Sequence, residues 1–95
     1  MHHNFVKLKC FLALARLEEG SGVTASGLAR LASVELPSLY VLLPRWLRWS
    51  YVRRFTSRRG GRIVFYYHLT KRGRNWLKRA ESWHPQFREA QAEVV

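Results

Sequence analysis

The chain has 95 residues, enough for one small domain around a single hydrophobic core. Lysine and arginine number 17 against six acidic residues, all of them glutamate, and the formal net charge is +11. No apolar run approaches the roughly 18 residues of a membrane-spanning helix, and the one cysteine, Cys10, has no partner for an internal disulfide. We therefore expect no membrane span, no disulfide framework, and a cytoplasmic, nucleoid-associated location.

Helical periodicity predicts the first two elements. Residues 4–19 are apolar almost around the full circumference of a helix, which indicates packing neighbours on more than one side. The glycines at positions 20 and 22 end this helix. Thr24 is a typical N-cap for a second helix, predicted over residues 24–33.

A third helix is predicted over residues 36–50. Pro37 suits its first turn, where the missing N–H has no intrahelical partner to lose. Pro44 would lie in mid-helix, where proline removes a backbone hydrogen bond and crowds the preceding turn. We therefore expect a kink or a break between Tyr40 and Pro44.

Beyond Ser50 the periodicity changes to two. Residues 51–69 are rich in β-branched and aromatic side chains on either side of Gly60 and Gly61, which predicts a β-hairpin with a glycine tip. Thr70 then caps a fourth helix over residues 70–84. Residues 85–95 form a tail that either frays or makes an extra turn.

The middle of the chain carries uniform positive charge. Twelve basic residues and no acidic one occur from Arg45 to Arg79, interleaved with aromatic residues. A disordered basic tail would lack these aromatics, because it buries no apolar surface. The pattern is typical of a folded surface that lies on a polyanion, and nucleic acid is the predicted partner.

The order of the elements resembles the winged helix-turn-helix of MarR-like and PadR-like regulators from archaea and bacteria. The resemblance covers residues 23–77 and is most specific at Tyr67-x-Leu69-Thr70-x-x-Gly73, the junction between the wing and the next helix. It implies an α+β fold with a three-helix core, a two-stranded wing and a C-terminal helix. It also implies a homodimeric transcriptional regulator that binds double-stranded DNA.

The chain departs from the family pattern at three positions. Gly27 replaces the acid that is usual early in the second helix, and Ser33 replaces the usual turn glycine. The third departure is Pro44, which bears on whether the third helix lies straight in the groove.

In such a fold the third helix enters the major groove, and the hairpin tip contacts the minor groove or the backbone. The predicted contacts on the third helix, with the candidates for base contact first, are Ser38, Tyr40, Val41, Pro37, Arg45 and Arg48. The predicted contacts on the wing are Arg53, Arg54, Arg58, Arg59, Gly60, Gly61 and Arg62. Candidate phosphate contacts outside these elements are Thr24, Lys71, Arg72 and Arg74.

Apolar side chains recur on one stripe of the fourth helix. Together with the apolar first helix, they amount to more surface than one small core is expected to cover, which predicts a homodimer. The predicted interface consists of Phe5, Leu8, Phe11, Leu12, Trp76, Ala80 and Trp83.

The sequence holds no arrangement typical of catalysis or metal binding. Aspartate is absent, and no histidine pairs with Cys10 at ligand spacing. We expect no enzyme, no cofactor and no metal. Two alternatives to a regulator are a chromatin-type or RNA-associated basic module without sequence readout, and a protein-interaction winged helix in a transcription or replication assembly. The sequence does not identify the operator or a small-molecule effector.

Overall fold

The computed structural model describes residues 3–94, which form five helices and one antiparallel hairpin. The elements are α1 (His3–Ala15), α2 (Ala25–Ala32), α3 (Leu36–Arg48), β1 (Val52–Arg59), β2 (Arg62–Leu69), α4 (Lys71–Trp83) and α5 (Phe87–Glu93). Residues 1, 2 and 95, which belong to the predicted single domain over 1–95, lie outside the described part.

Helix α1 ends four residues earlier than predicted, at Ala15. Its end tightens through hydrogen bonds from Arg16 N to the Ala13 carbonyl and from Leu17 N to the Leu14 carbonyl. The next two residues are Glu18 and Glu19, whose negative charge is unfavourable at a helix C-terminus. The helix therefore ends before the glycine turn, and the charge of these two residues disfavours its continuation.

The tail forms a complete helix, α5, that packs on α1. Phe87, Ala90 and Val94 are buried in the same hydrophobic cluster as α1. The Lys9 ammonium donates to Glu93 Oε1 at 3.0 Å, and an Arg16 guanidinium nitrogen donates to the Val94 carbonyl at 3.0 Å. The apolar circumference of α1 is thus covered within the chain by α2, α4, α5 and β2.

Two of the departures from the family pattern have a structural reason. A side chain at Gly27 would start 2.6 Å from a Val23 methyl group, and the Gly27 N–H is capped by the Thr24 hydroxyl at 3.1 Å. Ser33 adopts the left-handed conformation (φ 57°) that glycine usually supplies. Its carbonyl accepts from Lys9 and its hydroxyl donates to the Glu93 carbonyl, which offsets the strain.

Helix α3 continues through Pro44 from Leu36 to Arg48, so the expected break does not occur. Proline at this position removes the hydrogen bond to the Tyr40 carbonyl. Both Tyr40 and Pro44 lie on the exposed face, so the position of the missing hydrogen bond is on the solvent side of the helix. The opposite face is held by buried Leu39, Leu42, Leu43 and Trp46.

The hairpin has the predicted glycine tip. Strands β1 and β2 pair in register from Val52 opposite Leu69 to Arg59 opposite Arg62. Gly60 and Gly61 both have positive φ (56° and 78°), as a two-residue hairpin turn with the twist of the strands requires. Only the base of the hairpin is buried, so its outer part projects from the body of the protein.

The motif at the end of β2 joins the hairpin to the core. The Thr70 hydroxyl caps α4 by accepting from Gly73 N at 3.1 Å and donates to the Ser50 carbonyl at 2.6 Å. A side chain at Gly73 would collide with the Tyr51 carbonyl and with Leu69. Glycine is therefore required here for close packing of α4 on the strand entry.

Candidate nucleic-acid interface

The outer face of α3 is the first part of the candidate interface. Burial of its apolar face in the core leaves Pro37, Tyr40, Val41, Arg45 and Arg48 exposed. Ser38 is half-buried in the first turn. The six side chains predicted on this helix therefore all have surface available to an external partner.

The second part is the outer hairpin. The side chains of Arg53, Arg54, Arg58, Arg59 and Arg62 are all exposed. The Arg54 guanidinium lies 4.5 Å from the centre of the Phe65 ring, a cation–π arrangement. No wing arginine pairs with a carboxylate among residues 3–94, where the ion pair found is Lys9–Glu93.

A groove joins these two parts. It has a volume of about 480 Å³ and runs between the start of α2, the α3 face and the outer hairpin. Thr24, Tyr40, Arg59 and Arg62 meet at this groove. The structure thus brings together predicted residues from three separate segments of the chain.

The remaining candidate phosphate contacts lie apart from the groove. Lys71 and Arg72 border a second depression, of about 420 Å³, with Tyr51, Asn75 and Arg79. Arg74 lines a third cavity, of about 510 Å³, together with Glu18 and Glu19. Its acidic surroundings make Arg74 the least suited of the candidates to an anion.

Sequence reasoning did not single out Ile63 and Phe65, which line the groove and are 59% and 43% exposed. Their alternation with Val64 and Tyr66 placed them on the face of Tyr67 and Leu69, which is the core side at the base of the hairpin. The hairpin extends beyond the core, so the same face is solvent-exposed beyond Tyr67 towards the tip. The length of the strands, eight residues each, is the feature that could have indicated that the hairpin extends beyond the core.

Lys7 was also not singled out. Its ammonium lies 4.0 Å from the centre of the Tyr51 ring and 4.3 Å from that of Trp76. Burial, followed by the charge of Arg72, lowers the pKa of Lys7 to about 8.

Cys10 is fully buried, as the apolar run around it predicts, and burial raises the pKa of its thiol to about 12. This thiol is therefore inert.

Within residues 3–94, no three His, Cys, Asp or Glu side chains are grouped so that they could hold a metal ion. No helix in the same range has the length and apolar character needed to cross a membrane.

No protein-family model matches the chain. A search of curated protein sequences likewise gives no match.

Solved structures of transcription regulators do match. A PadR family transcription regulator from Clostridium difficile aligns with a TM-score of 0.70 at 15% identity, over 93% of this chain and 95% of that one. Streptococcus pneumoniae FabT in complex with DNA aligns with a TM-score of 0.59 at 21% identity, over 100% of this chain and 62% of that one. A Mycobacterium tuberculosis MarR family protein in complex with salicylic acid is 34% identical, with a TM-score of 0.54 over 90% of this chain and 60% of that one.

The chain is a winged helix-turn-helix protein. In this winged helix, α2 and α3 are the helix-turn-helix and the β1–β2 hairpin is the wing. The predicted fold class is confirmed, and the structural neighbours are PadR and MarR family regulators rather than enzymes. The chain spans less than two thirds of the length of FabT and of the MarR family protein.

The predicted dimer residues divide into two groups. Leu8, Phe11, Leu12 and Ala80 are buried in the chain's own core and have almost no surface left for a partner. Phe5 and Trp76 are half-buried, and Trp83 is 55% exposed, with its ring edge-to-face against Trp76 at 6.3 Å. The inference that α1 carries more apolar surface than the chain itself can cover was wrong, because α5 packs on that helix.

Proposed function

We propose that this winged helix is a transcriptional regulator that binds double-stranded DNA, with α3 in the major groove and the wing on the minor groove or the backbone. The observation that carries the proposal is the shared groove. Through it Tyr40 of α3 and the wing residues Arg59 and Arg62 line one surface, and no acidic residue occurs between positions 36 and 80. Such a surface attracts a polyanion at long range and releases counterions on binding.

The assignment to DNA is supported by the structural neighbours. They are transcription regulators, and one of them, FabT, is in complex with DNA. The thirteen arginines among 17 basic residues fit this partner, since the guanidinium fork matches phosphate and guanine edges. Cytoplasmic, nucleoid-associated location belongs to the same proposal.

The decisive experiment is selection of bound sequences from a random DNA pool with an RNA competitor present. A regulator enriches one sequence, which then binds about 10³-fold or more tightly than random DNA. Binding without enrichment would mean a chromatin-type module, and loss of DNA to the competitor would mean an RNA module. Absence of binding to either nucleic acid would leave the protein-interaction alternative.

Base reading is proposed for the N-terminal half of α3. The double substitution Ser38→Ala with Tyr40→Ala is expected to lower discrimination between the selected site and random DNA by about 1–3 kcal/mol. Equal weakening on both sequences would mean that these residues position the protein and do not read bases. Pro37, Val41, Arg45 and Arg48 complete the proposed α3 contacts.

A homodimer is proposed around Trp83. Two copies joined through α4 would place both α3 helices on one side of the dimer, for successive major grooves about 34 Å apart. Trp83→Glu is expected to separate the copies, because it introduces charge into an apolar contact. Trp49→Glu is the matched control, since Trp49 is similarly exposed (59%) but lies at the end of α3. Sedimentation at micromolar concentration checks this, and a monomeric unsubstituted protein would overturn it.

A further inference from the structure

The large exposed apolar side chains are concentrated on the basic side of the protein. Seven such side chains occur in the described residues. Trp83 lies on α4, and the other six lie on α3, at its C-cap or on the wing: Tyr40, Val41, Trp49, Phe55, Ile63 and Phe65. A surface that contacted only phosphates would carry hydrogen-bond donors at these positions. The presence of exposed apolar side chains there requires another explanation.

Three of the six meet in the groove between α3 and the wing. Tyr40, Ile63 and Phe65 line it with Arg59 and Arg62 at the tip end. The groove therefore combines an apolar, aromatic lining with a cationic rim. Its volume of about 480 Å³ falls within the range of roughly 300–1,000 Å³ that holds small molecules in other proteins.

The phosphate backbone of a paired duplex does not match this lining. With α3 in the major groove, Tyr40 reaches the edges of paired bases. Phe65 on the wing would face only charged oxygens and sugars, because the faces of paired bases are stacked inside the helix. An unpaired base differs, because both of its faces are apolar and stack on aromatic rings. Its flanking phosphates would meet Arg59 and Arg62, and the Arg54 guanidinium over Phe65 adds positive charge beside the ring.

We propose that the groove between α3 and the wing holds an unpaired base of DNA, so that the protein prefers a duplex opened at a few base pairs to the same duplex fully paired. This inference rests on the proposed binding of duplex DNA and identifies the state of the DNA that binds best. The strand that carries the base enters along the wing arginines, and the rest of the duplex lies on α3.

The preference is measured as a ratio of affinities. Fluorescence anisotropy gives the affinity of the full chain for one labelled duplex and for the same duplex with a short unpaired bubble. We expect the bubble to bind about 10-fold or more tightly, because stacking of a single base on an aromatic side chain contributes about 5- to 150-fold. 2-Aminopurine in the bubble should lose fluorescence on binding as it stacks.

Phe65→Ala and Phe55→Ala form a matched pair of variants. The two rings have similar exposure (43% and 39%) but lie on opposite faces of the hairpin, since Thr56 is the residue opposite Phe65. Phe65→Ala is expected to bring the ratio of bubble to duplex affinity close to one. Phe55→Ala is expected to keep the ratio, and thermal unfolding of both variants verifies that each is folded.

Each outcome decides the proposal. A ratio near one for the unsubstituted protein, or an equal loss in both variants, overturns it while duplex binding and the proposed function stand. Failure to bind either DNA overturns both proposals together. Tighter binding of a single-stranded RNA of the same sequence than of the bubble overturns the assignment to DNA.

Discussion

In the part of the chain that the structure describes, basic side chains have hydrogen-bond partners in one region of the protein and lack them in another. On the side of α1 and α5, Lys9 bonds to Ser33 and Glu93, and Arg16 bonds to the Val94 carbonyl. On the wing, the arginines make no such hydrogen bonds within the described chain. Charges with partners join helix to helix, and charges without partners remain available to an external anion. We therefore expect substitutions on the core side to change stability and substitutions on the wing side to change the proposed DNA binding.

Replacing a phenylalanine by alanine in each region should give the largest difference in the free energy of unfolding. Phe11 is fully buried between the rings of Trp46, Tyr51 and Trp76. Phe11→Ala is expected to lower the free energy of unfolding by about 3–5 kcal/mol, because it leaves a cavity. Phe65→Ala on the wing should change it by about 0.5 kcal/mol or less. Urea unfolding measures both, and similar losses would contradict the division.

Removing charge from the wing should have the converse effect. The triple substitution of Arg58, Arg59 and Arg62 by Ala should reduce duplex affinity by about 100-fold at physiological salt and lower the slope of log K against log salt by up to about 2.7. Stability should hardly change, since these side chains are exposed. An unchanged slope would remove the wing from the DNA interface.

The junction between the two regions should be sensitive to volume. Gly73→Ala is expected to cost about 1–3 kcal/mol, because the added methyl group collides with the Tyr51 carbonyl and Leu69. Asn75→Ala is the control, since Asn75 is exposed on the same helix. Equal unfolding free energies for the two variants would mean that α4 shifts freely on the strand entry.

The smallest expected effect concerns the pH dependence of Lys7. Its pKa is about 8 in the folded protein and 10.5 ordinarily, so the unfolded chain binds more protons between these values. The contribution of Lys7 to stability should therefore rise with pH across this window. The stability of the unsubstituted protein relative to Lys7→Met, measured in urea at pH 7 and pH 9.5, should increase. A decrease would mean that attraction of the charged ammonium to the rings of Tyr51 and Trp76 outweighs its burial.

Much of the fold follows from local patterns. Helical periodicity, the caps at Thr24 and Thr70 and the change to a period of two predict the element order and the glycine tip, because each depends on neighbouring residues. The arginines of α3 and of the wing were predicted as contacts from the resemblance to winged helix-turn-helix regulators, and all of them are exposed. The end of α1 and the continuity of α3 through Pro44 depend on what surrounds each helix, and neither was predicted.

The sequence alone determined that positive charge is concentrated in one segment and that this segment contains a helix and a hairpin. Only the tertiary structure decided which apolar residues the core buries. Docking of α5 covers α1 through contacts between residues as distant as Lys9 and Glu93, and the wing extends beyond the core and exposes Ile63 and Phe65. Burial depends on which segments meet in space, and the pattern of a single segment does not contain that information.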